Sequence, residues 1–444
     1  MAMSDQFDPL GSSAPLIVYI DYKSPYAYLA VAPTYAMGRD LGIEIDWRPF
    51  TLDITSYLGS ARLDISGKVA ESQRSAGQWT KVKNAYHDVR RYGSLRNAIV
   101  RGTTKIWDSS LAGLAMLWAK EQGPTILRDY MAIIYERFWK RELDIEDRAV
   151  IEGVLKESGA RLDGFREYAE GVGRDFYARI QREAFDAGIF GVPTYVVGRE
   201  IFFGREHLPR IRWMLSGRSG EPPDIAYDDP SIENARPLQP RPKQLTVAID
   251  FKSLQSYLAI EPTCSMADEL GVEINWQPIV ITSSRARIAA VPTATEDRAT
   301  RHRRIRADYL DHDALRYAAD RGLAIDRIDH SVDSTPAAIG LLWVQRNGPS
   351  KAQTYVTRMM HGYWREHVRI DDTTSIASVL DASGLSTRGY EDFVRSEGRT
   401  EFVRVETELS GRGAFEVPTY LTDDDLFLGR QHMPLIRKLL SGAK

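Results

Sequence analysis

The sequence has one cysteine, no long apolar run and almost no net charge, and each absence excludes a class of protein. Cys264 is the single cysteine among 444 residues, so neither an intramolecular disulfide nor catalysis by a cysteine pair within one chain is available. We expect Cys264 to be a packed, unreactive thiol. Residues 1–14 lack the basic and apolar stretches of a signal peptide, and no run of about 18 apolar residues occurs. The sequence therefore predicts a cytoplasmic protein without a membrane partner.

Charge and motif content exclude further classes. The net charge is −3, so no basic field attracts nucleic acid. The basic cluster Arg301, Arg303, Arg304 and Arg306 has no interleaved aromatic residues, which favours a solvated helix face over a nucleic-acid site. Neither a phosphate-binding loop nor a zinc-protease motif occurs, and the histidine spacing does not place two ligands on one helix face. We predict no metal site.

The chain repeats itself. Its 43% hydrophobic and 27% charged residues are ordinary for a globular protein. Three pairs of segments match in the same order, and about half of the positions in the first pair are identical: Ile20–Pro49 with Ile249–Pro278, Trp139–Asp147 with Trp364–Asp372, and Phe190–Arg212 with Phe415–Arg437. Duplication and fusion explain this pattern. We predict two domains, 14–217 and 244–444, joined by a proline-rich linker, 218–243, that runs extended over the surface.

Local signals give the order of elements in each copy. Leu16–Asp21 is a short apolar run typical of a buried strand. Ser24 and Pro25 suit the start of a helix, which Gly42 would end, and a second strand follows. Helical periodicity fills about residues 65–187, and about 295–412 in the second copy. Two short strands joined at Gly198-Arg199 and a final helix complete the copy. This order, βαβ, helical insertion, ββα, predicts an α/β protein of two tandem thioredoxin-like domains with a large helical insertion in each.

Two segments carry a family resemblance over essentially the whole of each copy. They are Asp21-Tyr22-Lys23-Ser24-Pro25-Tyr26 after the first strand and Gly191-Val192-Pro193-Thr194 before the hairpin. The chain resembles DsbA-like proteins without a cysteine pair, namely 2-hydroxychromene-2-carboxylate isomerases and kappa-class glutathione transferases.

The resemblance implies a glutathione site and assigns residues to it. Ser24, and Ser253 in the second copy, would hydrogen-bond the thiol of glutathione. Pro193 and Pro418 would follow cis peptide bonds, so that Val192 pairs with the cysteinyl backbone and Thr194 begins the hairpin beside it. The remaining candidates are Glu206 for the γ-glutamyl group, where the second copy has Gln431, Lys68 for the glycyl carboxylate, and Tyr26 on the substrate side.

The second copy departs from the family pattern. It has Leu254-Gln255 where the first has Pro25-Tyr26, and Glu416 where the first has Gly191. The asparagine and prolines that the family has after its second strand have no clear match in residues 51–68. We therefore expect the first copy to carry the working site and the second to be degenerate or to shape the substrate pocket.

The resulting hypothesis is a thiol-dependent, glutathione-using isomerase or transferase that acts on a small aromatic-derived catabolic intermediate. A thiolate at the start of a helix is stabilised by the first-turn N–H groups and the helix dipole. Two alternatives stay open: a non-catalytic binding or scaffold protein, and an isomerase without a cofactor. The lack of a second cysteine excludes a dithiol oxidoreductase. We also expect the two copies to pack as an intramolecular pseudo-dimer, and further homodimerisation of the fused chain stays open.

Overall fold

A computed structural model describes residues 11–64, 68–281, 296–423 and 425–441. By their contacts these residues form two compact units. The first unit contains the described residues up to 224 together with 228–231 and 296–305, and the second contains the others. Each unit holds one four-stranded sheet. The described residues include no helix that is long and apolar enough to cross a membrane.

The first unit follows the predicted order of elements. Its strands are β1 Leu16–Ile20, β2 Ile45–Pro49, β3 Ala61–Leu63, β4 Val69–Ser72, β5 Thr194–Val197 and β6 Glu200–Phe203. Its helices are α1 Pro25–Leu41, α2 Ile54–Leu58, α3 Ala76–Leu95, α4 Ser110–Glu121, α5 Pro124–Trp139, α6 Arg148–Glu157, α7 Phe165–Glu170, α8 Val172–Asp186 and α9 Leu208–Leu215. The final helix is preceded by a 3-10 turn, Arg205–His207.

The second copy repeats this order. Its strands are β7 Gln244–Ile249, β8 Glu273–Pro278, β9 Thr419–Leu421 and β10 Leu426–Leu428. Its helices are α10 Leu254–Leu270, α11 Arg298–Asp320, α12 Thr335–Asn347, α13 Ala352–Glu366, α14 Thr373–Ala382, α15 Tyr390–Arg395, α16 Glu397–Gly411 and α17 Met433–Leu440. Two thioredoxin-like folds, each with a helical insertion, are therefore confirmed.

The sheet of the first unit brings three strand ends to one edge. Its strand order is β2-β1-β5-β6. β1 and β2 are parallel, with Ile20 opposite Pro49, while β5 is antiparallel to β1, with Tyr19 opposite Thr194. The carboxyl ends of β1 and β2 and the amino end of β5 therefore meet. The second sheet, β8-β7-β9-β10, has the same arrangement.

Buried apolar side chains explain the central elements. All five residues of β1 are buried, as expected for a strand covered on both faces. α1 begins at Pro25, which lacks only an N–H that the first turn leaves unbonded, and ends at Gly42, whose φ of 63° is left-handed. Gly198, also left-handed, joins β5 to β6 as predicted.

Two expectations were wrong. The region from about residue 65 is not helical at its start, because β4 pairs with β3 in a hairpin. The linker does not only run over the surface. Tyr227 and Ile232 are buried in the second unit, and Asp229 forms an ion pair with Arg96 in the first unit. A tyrosine and an isoleucine bury enough apolar area to hold a proline-rich segment in place.

Candidate functional site

Ser24 lies at the sheet edge where β1 ends and α1 begins. It has extended φ and ψ angles, and its Oγ accepts the N–H of Ala27 at 3.2 Å, which makes it the N-cap of a 17-residue helix. Its side chain is buried. The positive end of the helix dipole thus lies at a hydroxyl group, and an anion placed beside Ser24 would be stabilised there.

The loop before β5 faces Ser24. The Val192–Pro193 peptide bond is cis, and Ser24 Oγ donates to the Val192 carbonyl at 3.5 Å, the long limit for a hydrogen bond. The neighbouring carbonyls are held more tightly, since Gly191 O accepts from Thr194 Oγ1 at 2.7 Å and Pro193 O accepts from Gly204 N–H at 2.9 Å. Of the groups that hydrogen-bond these three carbonyls, the Ser24 hydroxyl makes the longest bond. It can therefore turn toward a bound ligand at the lowest cost.

Val192 also offers a donor. Val192 is 4% exposed. Within the described ranges its N–H has no hydrogen-bond acceptor. Buried backbone N–H groups are almost always paired in a folded protein. An unpaired N–H beside a hydroxyl and a helix N-terminus fits a ligand that has both a peptide carbonyl and an anionic or polar group.

The other predicted residues of the first site are less closely grouped. Tyr26, in the first turn of α1, and Glu206, in the 3-10 turn, are half-buried. The Glu206 carboxylate folds over Gly204, so a Cβ at Gly204 would overlap it. Lys68 is exposed at the tip of the β3–β4 hairpin, where its N–H bonds Asp64. The structure thus brings together Ser24 and Val192–Thr194, and does not bring Lys68 into contact with them in the described part of the chain.

The second unit keeps the helix cap but not the contact across the loop. Ser253 accepts the N–H of Ser256 at 3.2 Å, and the Val417–Pro418 bond is cis, as the resemblance implies. Among the described residues no hydrogen bond joins Ser253 to Val417. Gln255, at the position of Tyr26, accepts a hydrogen bond from Arg430 instead.

A packing difference explains how the second loop tolerates Glu416. A Cβ at Gly191 would lie 2.5 Å from the Phe203 ring, so only glycine fits beside that ring. In the second copy Leu428 stands at the position of Phe203, and the exposed Glu416 fits there.

Sequence reasoning missed a buried ion pair next to Ser24. Lys23 Nζ lies 3.6 Å from Asp21 Oδ2, and the two side chains are 5% and 1% exposed. Asp21 also accepts the Leu52 N–H at 2.7 Å. Burial raises the pKa of nearby Asp108, but hydrogen bonds from Ser110 and the Lys23 charge outweigh it, so that this pKa is lowered overall. The edge thus holds charged groups close to the Ser24 cap.

The corresponding aspartate of the second unit is bound differently. Asp250 accepts the Ile281 N–H at 2.8 Å, as Asp21 accepts that of Leu52, but it also accepts Ser334 Oγ at 2.5 Å. Burial raises the pKa of Asp250, and the hydrogen bonds from Ser334 and Ile281, with the charge and N–H of Lys252, offset the shift only in part. Ser109, which corresponds to Ser334, has a buried hydroxyl without a partner in the residues that the structure describes. Both copies have the sequence I-D-x-K-S at this point. The repeat therefore identifies the aspartate as a shared residue but does not predict its contacts.

Two further sequence expectations concern metals and Cys264. In the described ranges no group of three or more His, Cys, Asp or Glu residues is placed to hold a metal ion. Cys264 is a free, half-buried cysteine in α10. Burial, with the charge of Asp268, raises the pKa of its thiol to about 11.

We predict that Cys264 reacts slowly with iodoacetamide. At pH 8 its thiolate fraction is about two orders of magnitude below that of an unperturbed thiol, and alkylation of the native protein should be slower by about that factor than alkylation in denaturant. Mass spectrometry of the Cys264 peptide over time measures both rates. Equal rates would contradict the assignment of a packed, unreactive thiol.

Comparisons with known proteins show what the chain is similar to. The sequence profile of the DSBA-like thioredoxin domain family matches residues 15–215 and 244–441. A protein of Sphingobium xenophagum named 2-hydroxychromene-2-carboxylate isomerase is 26% identical over 191 residues, which cover 43% of this chain and 92% of the relative. A protein of the same name from Pseudomonas putida is 24% identical over 192 residues, 43% of this chain and 91% of the relative.

A solved structure described as 2-hydroxychromene-2-carboxylate isomerase is also similar. It is 22% identical, aligns with a TM-score of 0.34, and covers 44% of this chain and 92% of its own. Each of these relatives therefore spans about the length of one repeat.

Proposed function

Because the chain belongs to the DsbA-like thioredoxin domain family along most of its length, we propose that it is an isomerase whose first unit uses glutathione. The substrate class is a small aromatic-derived carboxylate, as in the name that the curated relatives carry. The observation that carries the proposal is the pairing of the buried Ser24 hydroxyl with the Val192 loop at the N-terminus of α1.

Val192 and Ser24 fit the cysteinyl part of glutathione. The Val192 N–H, which has no acceptor among the described residues, and the Val192 carbonyl suit the two sides of a cysteinyl backbone. Glu206 is the candidate for the γ-glutamyl amino group. When bound, glutathione supplies a thiolate nucleophile that no side chain of this chain offers, since Cys264 is packed away in α10.

The protein's own part follows from these positions. Ser24 would donate its hydroxyl to the sulfur and, with the N–H groups of the first turn of α1, hold the sulfur in its anionic form. The Val192 backbone would orient the ligand so that its sulfur stays at the helix end. Burial of Ser24 excludes water, which strengthens both interactions.

In the second unit we propose a shape-forming role without catalysis. Gln255 accepts a hydrogen bond from Arg430, and within the described residues Ser253 does not make the loop contact that Ser24 makes. Packing of the two copies as a pseudo-dimer, and homodimerisation of the fused chain, stay predictions.

The test is turnover of 2-hydroxychromene-2-carboxylate, followed by its absorbance change with and without glutathione. We expect turnover that requires glutathione and is not supported by S-methylglutathione, which occupies the same site without a free thiol. Equal turnover without any thiol would favour the isomerase without a cofactor. Glutathione binding without turnover would favour a transferase or a binding protein.

A further inference from the structure

The start of α11 packs within the first unit although its sequence lies in the second repeat. Residues 296–305 belong to the first unit by their contacts. Arg304 forms a two-pronged ion pair with Glu296, at 2.8 and 3.1 Å, which holds the first turn together. The basic cluster at residues 301–306 is therefore not only the solvated helix face that the sequence predicted.

Two arginines at the start of α11 contact the end of α8. The guanidinium groups of Arg298 and Arg301 lie 4.4 and 4.8 Å from the ring centre of Phe185, a favourable cation–π distance. Arg301 also forms an ion pair with Asp186 at 2.8 Å. These contacts fix residues 296–305 against the segment that leads into the Val192 loop.

His302 contacts a residue on each side of β1, the strand that leads to Ser24. Its Nε2 lies 2.8 Å from the Phe190 carbonyl, and because a carbonyl only accepts, Nε2 carries the proton. Its ring stacks on Tyr57, with centroids 4.7 Å apart and planes 8° apart. Tyr57 follows β2 and Phe190 precedes β5, and these two strands flank β1, which leads to Ser24. His302 therefore ties together the two segments on either side of the candidate site.

With this bond, each of four successive carbonyls in the loop has an anchor. Residues 190–193 are held in order by His302, Thr194, Ser24 and Gly204. His302 is the anchor that the second repeat contributes, 112 positions from Phe190. It fixes the residue two positions before Val192, whose N–H and carbonyl face the proposed ligand.

The feature is not shared by the two copies. Tyr92 and Tyr317 occupy corresponding positions, each beside the corresponding arginine, Arg205 or Arg430, and this alignment of α3 with α11 puts Gly77 at the position of His302. Gly77 has no side chain, and nothing lies within 4 Å of the place where its Cβ would be.

We propose that His302 is a positioning residue of the Ser24 site, one that fixes the Val192 backbone through the Phe190 carbonyl and is itself held in place by stacking on Tyr57. The part that concerns ligand affinity rests on the function proposed above. The part that concerns the loop does not, because it follows from the contacts of His302 alone.

Three variants of the full chain separate the two contacts. H302Q keeps an N–H donor and loses the ring, H302F keeps a ring and loses the donor, and H302A loses both. His312→Ala is the matched control, because His312 is exposed on the same helix. Hydrogen exchange of peptides covering residues 188–197 reports on the loop without any ligand, and peptides covering 413–421 report on the related loop of the second unit.

We expect H302A and H302F to speed exchange at 188–197 by about 5- to 10-fold, the effect of losing one hydrogen bond, with no change at 413–421. H302Q and His312→Ala should resemble the unaltered protein. Glutathione titrations should show affinity reduced about 5- to 10-fold in the same two variants. Exchange at 188–197 that is unchanged in H302A would overturn the proposal. If the unaltered protein binds no glutathione, the proposed function fails, and the exchange result still decides the role of His302.

Discussion

Replacing Ser24 by alanine should weaken glutathione binding by about 10- to 100-fold, the range expected for a hydrogen bond to a charged group. Ser24 is the hydroxyl that faces Val192 at the start of α1, and alanine leaves the thiolate with only the N–H groups of the helix. The glutathione-dependent turnover should fall by at least the same factor. Isothermal titration calorimetry and the absorbance assay measure the two effects.

Ser253→Ala is a closely matched control. Both serines cap a 17-residue helix, and both accept the N–H three residues on at 3.2 Å. Each substitution should therefore cost its own unit about 1 kcal/mol of stability through the lost cap. Only Ser24→Ala should also reduce glutathione affinity.

A third variant, Ser24→Thr, tests whether the hydroxyl group itself holds the ligand. Ser24→Thr retains a hydroxyl and a capping oxygen, so it should recover most of the affinity. Affinity lost in Ser253→Ala and kept in Ser24→Ala would transfer the working site to the second unit. Affinity kept in both would rule out a serine-held thiol in either unit.

The fold was predictable because its local signals are strong and occur twice. Ser24 and Pro25 start α1, Gly42 ends it, and Gly198 turns the hairpin, and each is a residue with a physical reason for its position. The β3–β4 hairpin lacked such signals, since its strands are three and four residues long and β4 is exposed throughout. A short polar strand has neither periodicity nor an apolar face to mark it.

The site was predictable only where the repeat and the family pattern coincide. Ser24 and Val192–Thr194 lie together as the resemblance implies. His302 was missed because its partner Phe190 is 112 positions away, and sequence periodicity says nothing about contacts at that separation. The second repeat has the same I-D-x-K-S letters but other contacts.

The different surroundings of Asp21 and Asp250 have a visible cause. In the first unit the hydroxyls of Thr51 and Tyr177 bond each other near Asp21. In the second copy Val280 and Phe402 stand at those positions, and neither has a polar side chain. A carboxyl in a more apolar environment has a raised pKa, which is the direction found for Asp250.

Asp21→Asn should destabilise the first unit at pH 7, while Asp250→Asn should leave the second unit unchanged or more stable. Removing Asp21 leaves Lys23 buried with a lost partner. We expect a loss of about 2–3 kcal/mol, below the full cost of breaking a buried pair because Asp108 still lies near Lys23. An asparagine at 250 can accept the Ile281 N–H through Oδ1 and donate its Nδ2–H to Ser334 Oγ without burying a charge, and it loses only the long contact from the Lys252 N–H.

The pH dependence of stability gives a further test of Asp250→Asn. The pKa of Asp250 is raised in the folded state, so its proton is bound more tightly there than in the unfolded chain. The stability that this contributes is present below the unfolded pKa, about 3.9, and is lost as pH rises through the folded value. Any advantage of Asp250→Asn should therefore appear near neutral pH and disappear in acid. The deficit of Asp21→Asn at pH 7 comes from the lost contact with the buried Lys23.

A double-mutant cycle identifies the pairing itself. The units can unfold separately, so each is followed by hydrogen exchange in its own central strand, β1 or β7. Asp21→Asn combined with Lys23→Met should show a coupling of about 1–3 kcal/mol, as expected for residues in contact. Asp250→Asn combined with Lys252→Met is the matched cycle and should show a smaller coupling, because Asp250 is held by the Ser334 hydroxyl and Lys252 acts on it through its charge without the close ion pair that Lys23 forms with Asp21 in the described residues. Equal coupling in both cycles would mean that the two copies bind their aspartates alike, and that the buried ion pair beside Ser24 does not distinguish the first unit.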